Sequence, residues 1–239
     1  SLEKWDSDLQ KKLTKEQYDP LGREFQAAVA FYRVILEDLA DRPYPIPVKP
    51  MARPALDGAI GEQEWPAVAC ERFLRPYRLW AQQGRMPQAD TRVFLGYDAD
   101  NLFIALRCEE PTPDKLRKRI EERDGMVFTD DCGEIFLQPS GSQDYYHVAV
   151  NALGAIYDAK GADKAWNGDI VVKTRSGTAA WEIEAAIPFK ALGVTPKRGE
   201  RWRFNWARER YAGTPEVSSW CLLRSGFHEP ERFWEMQFE

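Results

Sequence analysis

The stretch TRVFLGYDADNLFIALRC, residues 91–108, decides the fold class. Two runs with an apolar period of two, TRVFLGY and NLFIALRC, flank Asp98-Ala99-Asp100, and this pattern predicts a β-hairpin. The acids of DADN also suggest a calcium loop, but the remaining ligands of an EF-hand are missing, so a hairpin turn is the better reading. Further runs follow, with turn residues between them: EIFLQ (134–138), YYHVAVN (145–151), GDIVVKTR (168–175), WEIEAAI (181–187), WRFNWARER (202–210), SSWCLL (218–223) and FWEMQF (233–238). Many short strands with few helical segments predict a mainly β protein, an antiparallel β-sandwich of the jelly-roll or immunoglobulin-like kind.

Alternation assigns faces. Trp181, Ile183, Ala185 and Ile187 share one face of their strand, and Glu182 and Glu184 share the other in a pattern that reads as solvated. Ile135 and Leu137 point one way, Glu134 and Phe136 the other. Tyr146, Val148 and Val150 read as core, which turns Tyr145, His147 and Asn151 outward. Arg107 shares a face with Phe103 and Ala105. A sheet surface carrying Arg107, Glu134, Tyr145, His147 and Asn151 would be planar and rich in hydrogen-bonding groups.

Residues 1–49 read differently. Asp19-Pro20 predicts a helix start, with Leu21, Phe25, Ala28, Val29, Tyr32, Leu36 and Leu39 at helical spacing after it. Pro43, Pro45, Pro47, Pro50 and Pro54 predict a stiff extended connector. The division is therefore a helical appendage with its connector over 1–49 and a sandwich over 50–239, and residues 54–239 are expected to fold alone.

The 239 residues are 44% hydrophobic and 30% charged, a globular composition, with a net charge of −5 from scattered acids. Nucleic acid is a poor partner for such a surface, and no apolar run is long enough to span a membrane. Aromatic content is 13%, with nine Trp, which suits a protein that buries or presents flat apolar faces. Trp65, Trp181, Trp202 and Trp220 are assigned to the core, while Trp80 and Trp166 fall in polar loops. The four cysteines, Cys70, Cys108, Cys132 and Cys221, form no CxxC pair, and only His147 and His228 could assist them, which argues against zinc.

Taken in order, LDGAIGEQEWPAVA, VFLGYDADNLFIALRCEE, RDGMVFTDDCGEIFLQP, YYHVAVNALGAIYDA, WEIEAAIPFKALG, WRFNWARER and FHEPERFWEMQF resemble the family 9 carbohydrate-binding modules over residues 54–239. The resemblance implies a sandwich that binds a saccharide or a polysaccharide end without cleaving it. It also implies a secreted or periplasmic location beside a glycoside hydrolase. Members of that family clamp a sugar between two Trp, and the matching positions here hold Phe128 and Phe227. Glu134 matches a family carboxylate that bonds sugar hydroxyls. A family Arg is replaced by Ala149, so Arg107 or His147 is expected to supply the donor, with Asn151 beside them. No cofactor is implied beyond structural calcium, for which Asp131 is a candidate ligand.

Asp130 and Asp131 are adjacent on an extended chain, so they point to opposite faces and are badly placed to flank one bond. Asp131 is expected to order its loop through backbone N–H groups. No nucleophile motif occurs. Two other functions remain: a structural or interaction sandwich that has lost its sugar site, and a haem-binding domain. Cytochrome-like relatives of the family hold haem through His, Met or Lys, and His147 with Met126 or Met236 imitates such a pair.

Overall fold

The computed structural model describes residues 2–23, 25–26, 29, 45–61, 63–65, 69–70, 75–76, 87–221, 223 and 226–239. In chain order the elements are α1 (Leu2–Lys12), α2 (described over 15–23), β1 (Ile46–Pro50), β2 (Ala69–Cys70), β3 (Arg75–Pro76), β4 (Thr91–Tyr97), β5 (Asn101–Glu109), β6 (Cys132–Gln138), β7 (Tyr146–Asn151), β8 (Ile156–Lys160), β9 (Val171–Ser176), β10 (Ala180–Pro188), α3 (Phe189–Leu192), β11 (Arg201–Arg210), β12 (Glu216–Ser219) and β13 (Trp234–Phe238). The N-terminal helices form one compact unit and the strands another.

The predicted hairpin is β4–β5. Thr91 faces Cys108 and Tyr97 faces Leu102, and Asp98 Oδ1 closes the turn by accepting the N–H groups of Asp100 (2.8 Å) and Asn101 (2.7 Å). The strands follow one hydrogen-bonded path, β8-β7-β6-β11-β13-β1-β4-β5-β10-β9, with β12 beside β11, β3 beside β12, and β2 beside β4. The path folds on itself as a sandwich. Ile135, Leu137, Val148, Val150, Phe204 and Trp206 from the first sheet share one buried core with Val93, Leu95, Ile104, Leu106, Trp181 and Ile183 from the second. Gly133 lets the sheets approach: a Cβ there would lie 2.7 Å from Ile183 Cδ1 and 2.9 Å from Leu106 Cδ1. The faces assigned by alternation to Ile135, Leu137, Tyr146, Val148, Val150 and the Trp181 row are the buried ones, and Trp65, Trp181, Trp202 and Trp220 are core.

Several expectations are corrected. The proline connector is extended but not a connector over Ile46–Pro50: β1 joins the two sheets, parallel to both neighbours. Ile46 and Val48 register with Met236 and Phe238 of β13, and Lys49 and Pro50 with Gly96 and Tyr97 of β4. The helix around Asp19-Pro20 starts earlier. Thr14 Oγ1 accepts the Gln17 N–H (3.4 Å) while Gln17 Oε1 accepts that of Thr14 (3.2 Å), a reciprocal cap that places Pro20 inside α2. Tyr32, Leu36 and Leu39 lie outside the described residues, as does Trp80. Glu184 is not solvated. It is fully buried and accepts bonds from the Gly58 N–H (2.7 Å) and the Trp65 indole N–H (2.7 Å), fastening the segment before β2 to the second sheet. Trp166 packs on the core, its ring 4.9 Å from that of Tyr146. Cys108, Cys132 and Cys221 are buried thiols.

Candidate functional site

The two aspartates of RDGMVFTDDCGEIFL hold a loop. Asp130 Oδ2 accepts the N–H groups of Arg119 (2.6 Å) and Ile120 (2.8 Å), and Asp131 accepts those of Arg117 (2.7 Å, Oδ2) and Tyr211 (3.0 Å, Oδ1). Both side chains are fully buried. Asp131 thus has the bracing role expected of it, and its oxygens face N–H donors, a poor fit to a calcium ligand. Among the described residues no three His, Cys, Asp or Glu side chains converge as a metal site. Asp130→Ala is expected to cost about 2–3 kcal/mol, because it strands two backbone donors that bond a charged acceptor. A melting temperature within one degree of wild type would contradict that role.

The braced loop carries the 3-10 turn Val127–Thr129, which brings Phe128 to a cavity of about 380 Å³ on the outer face of the first sheet. Glu134, His147, Tyr157, Ala159 and Glu209 line it from the strands. Phe128 lines it from the braced loop, and Gly226, Phe227 and His228 from the segment before β13, with Gly161 and Lys164 completing it. The register explains the strand side: Glu134 pairs with Ala149 and Ala207, and Phe136 with His147, so these residues share the outward face.

His147 is fixed twice. Its ring stacks on Phe136 at 4.4 Å and 5°, and its Nε2–H donates to Glu134 Oε2 at 2.6 Å. Of the two Met considered as its haem partners, Met236 is buried in the core and Met126 is 60% exposed. Phe128 meets Tyr157 edge-on at 5.9 Å. Phe227, only 8% exposed, packs edge-on to Phe136 at 6.1 Å. His228 Nδ1 is hydrogen-bonded to the Tyr145 hydroxyl at 2.7 Å, and burial with the nearby His147 holds its pKa below the usual value.

Four of the six expected ligand residues, Phe128, Phe227, Glu134 and His147, therefore line one cavity. Arg107 and Asn151 do not. Arg107 belongs to β5 in the other sheet, where it pairs with Glu182 and with Glu109. Asn151, at the end of β7, donates to the Ile120 carbonyl (2.7 Å) and to Asp130 (3.0 Å) and so ties the loop to the sheet. Tyr157, Glu209, Lys164 and His228 were not anticipated. Inward Trp202, Phe204 and Trp206 imply an outward Glu209 by parity, but only the register shows what it faces. Another cavity, of about 450 Å³ near Arg92 and Glu109, has no aromatic lining.

Glu209 is the perturbed group of the site. Burial, then the charge of Glu134, pushes its carboxyl up to about 7, against a bond from the Tyr211 hydroxyl at 2.9 Å that lowers it. In the unfolded chain it titrates near 4.5, so between about 4.5 and about 7 the folded state binds more protons than the unfolded one. Stability from this group therefore falls as pH rises through that window and is level above it. The Glu209→Gln variant is expected to show a smaller melting-temperature decline across the window than wild type. Equal declines would show that Glu209 ionises freely.

Residues 76–238 match the family model described as carbohydrate-binding family 9. No curated protein is significantly similar to the chain. Solved structures of the same fold include a Bacteroides uniformis protein proposed to bind carbohydrate, with 20% identity, a TM-score of 0.61, and coverage of 81% of this chain and 98% of that one. A family 9 carbohydrate-binding module of Caldicellulosiruptor kristjanssonii in complex with cellotriose has 18% identity, a TM-score of 0.57 and coverage of 81% and 93%. A family 9 module of that organism in complex with glucose has 16% identity, a TM-score of 0.55 and coverage of 81% and 95%.

Proposed function

The chain belongs to carbohydrate-binding family 9, and we propose that its cavity on the first sheet binds a saccharide without cleaving it. One observation carries the reading: aromatic Phe128 and Phe227 and polar Glu134 and His147 line a single cavity. A sugar needs both surfaces, flat rings for its C–H groups and planar acceptors and donors for its hydroxyls. Each ring contact contributes on the order of 1 kcal/mol, and each good hydrogen bond about as much. The sugar-bound solved structures of the same fold support a β-glucan as the first ligand to try. Export, and work beside a polysaccharide-degrading enzyme, belong to the same proposal and rest on the family membership.

A glycan array on the full chain tests the reading. Phe128→Ala is expected to weaken the captured saccharide about tenfold, or roughly 1.4 kcal/mol, with little change in melting. Phe227 is more buried, so Phe227→Ala is expected to lose stability as well as binding. Silence across the array from folded protein would make the chain an interaction domain that has lost the site.

Catalysis is not expected. Glu134 and Glu209 rise from adjacent strands of one sheet and meet a ligand from the same side, whereas hydrolysis needs two carboxyls flanking one bond. Release of reducing ends from cello-oligosaccharides by wild type, abolished in Glu134→Gln, would overturn this.

A further inference from the structure

Resting on that saccharide reading, we propose that the site selects a sugar with a free amino group, its ammonium held between Glu134 and Glu209. Glu134 of β6 is opposite Ala207 of β11, so Glu209, two residues further along β11, is its diagonal neighbour on the same face. Each acid uses one oxygen within the protein. Glu134 Oε2 accepts from His147 and Glu209 Oε2 accepts from the Tyr211 hydroxyl. Among the described residues neither second oxygen has a hydrogen-bond partner, and both groups line the cavity.

The charges around the pair explain the preference. Sharing the cavity with Glu209 are Glu134, His147, Tyr157, Lys164 and His228, and Tyr211 bonds it from the extension of its own strand. No arginine or lysine forms an ion pair with either acid among the described residues, Lys164 is exposed, and burial keeps His228 toward its neutral form. Two neighbouring carboxyl groups thus share a partly dry site with no arginine or lysine paired to either among the described residues. A sugar hydroxyl donates one hydrogen bond and leaves their repulsion in place. An ammonium brings three N–H donors and a positive charge, which lets both acids ionise. Phe128 and Tyr157 present ring surface to the same cation. N-acetylation removes the charge, and a uronic acid adds a third negative group.

Calorimetric titration of the full chain at about pH 5.5, where the amine arrives already charged and Glu209 is still largely protonated, with the β-1,4-linked disaccharide of glucosamine, with cellobiose and with the N,N′-diacetylated disaccharide tests this. The amino disaccharide is expected to bind at least tenfold tighter than either neutral ligand. Titration in two buffers of different ionisation heat should show proton release for it alone, since Glu209 gives up its proton. In Glu209→Gln the amino disaccharide and cellobiose should come within about twofold of each other. Cellobiose binding as tightly as the amino sugar to wild type would overturn the proposal and leave the saccharide reading standing. So would an amino-sugar preference kept in a folded Glu209→Gln variant, or the absence of proton release. Binding of none of the three, nor of any glycan on the array, would remove both.

Discussion

Removing the Glu110 carboxylate is expected to cost the fold about 3–5 kcal/mol, the range for breaking a buried ion pair and leaving its partner charges uncompensated. Glu110 follows β5 of the second sheet, and its partners come from β11 of the first. Arg210 donates to both of its oxygens, from Nε to Oε2 at 2.7 Å and from Nη2 to Oε1 at 2.8 Å. Arg208 Nη2 reaches Oε2 at 3.3 Å, while its Nη1 bonds the Asp90 carbonyl and the Thr91 hydroxyl. Glu216 takes the remaining face of Arg210 at 3.2 Å. All three central side chains are buried, with exposures of 1% for Glu110, 1% for Arg208 and 4% for Arg210, so Glu110→Ala leaves two guanidiniums in the interior with one acid between them. Burial pushes the Glu110 carboxyl up, but the bonds from Arg210 and Thr112 outweigh it and hold the pKa below 4.5. A depressed folded pKa gives stability that is present above the unfolded value and lost as pH falls through the folded one. The difference between wild type and Glu110→Ala should therefore shrink on acidification. The pair of Arg107 and Glu182, with side chains 38% and 13% exposed, is the control: Arg107→Ala should cost less than Glu110→Ala, about 1 kcal/mol. Chemical denaturation of the three proteins measures this, and a loss below 1 kcal/mol for Glu110→Ala would show that the network contributes nothing net.

A chain beginning at residue 54 is expected to lose its cooperative melting transition, while one beginning at residue 45 keeps it. The deletion removes β1, the strand through which the two sheets are joined. Ile46 and Val48 are 3% and 0% exposed, and their burial alone contributes about 3–6 kcal/mol, a large part of a typical stability of about 5–15 kcal/mol. The deletion also opens the edges of β13 and β4, whose backbone groups pair with β1. A folded 54–239 fragment would show that the two sheets need no bridging strand. Loss of folding in the 45–239 fragment would show that the helical unit belongs to the same cooperative structure.

The prolines hid this strand from the sequence. Pro47 and Pro50 each remove a ladder donor, and a run with two prolines reads as linker or edge, not as a strand with neighbours on both sides. Period-two alternation gave the face of each strand correctly for the Ile135, Val148 and Ile183 rows, because it depends only on the pleat. It did not give the register or the sheet. Arg107 and Glu134 have the same outward parity, yet one lies on each sheet. Nor does parity show what covers a face: Glu184 points outward and is buried because the segment carrying Gly58 and Trp65 folds over it. The order of motifs located Phe128, Phe227 and Glu134, whereas Glu209 needed the pairing of Glu134 with Ala207 before it had a neighbour.

Chemical-shift mapping by NMR during titration of the full chain with cellotriose, and in parallel with a glucosamine trisaccharide, tests the saccharide site most directly. The largest shifts are predicted at Phe128, Glu134, His147, Tyr157 and Phe227, with Arg107 and its neighbours on the second sheet unmoved. Shifts centred on the second sheet, or no shifts with either ligand at millimolar concentration, would contradict it.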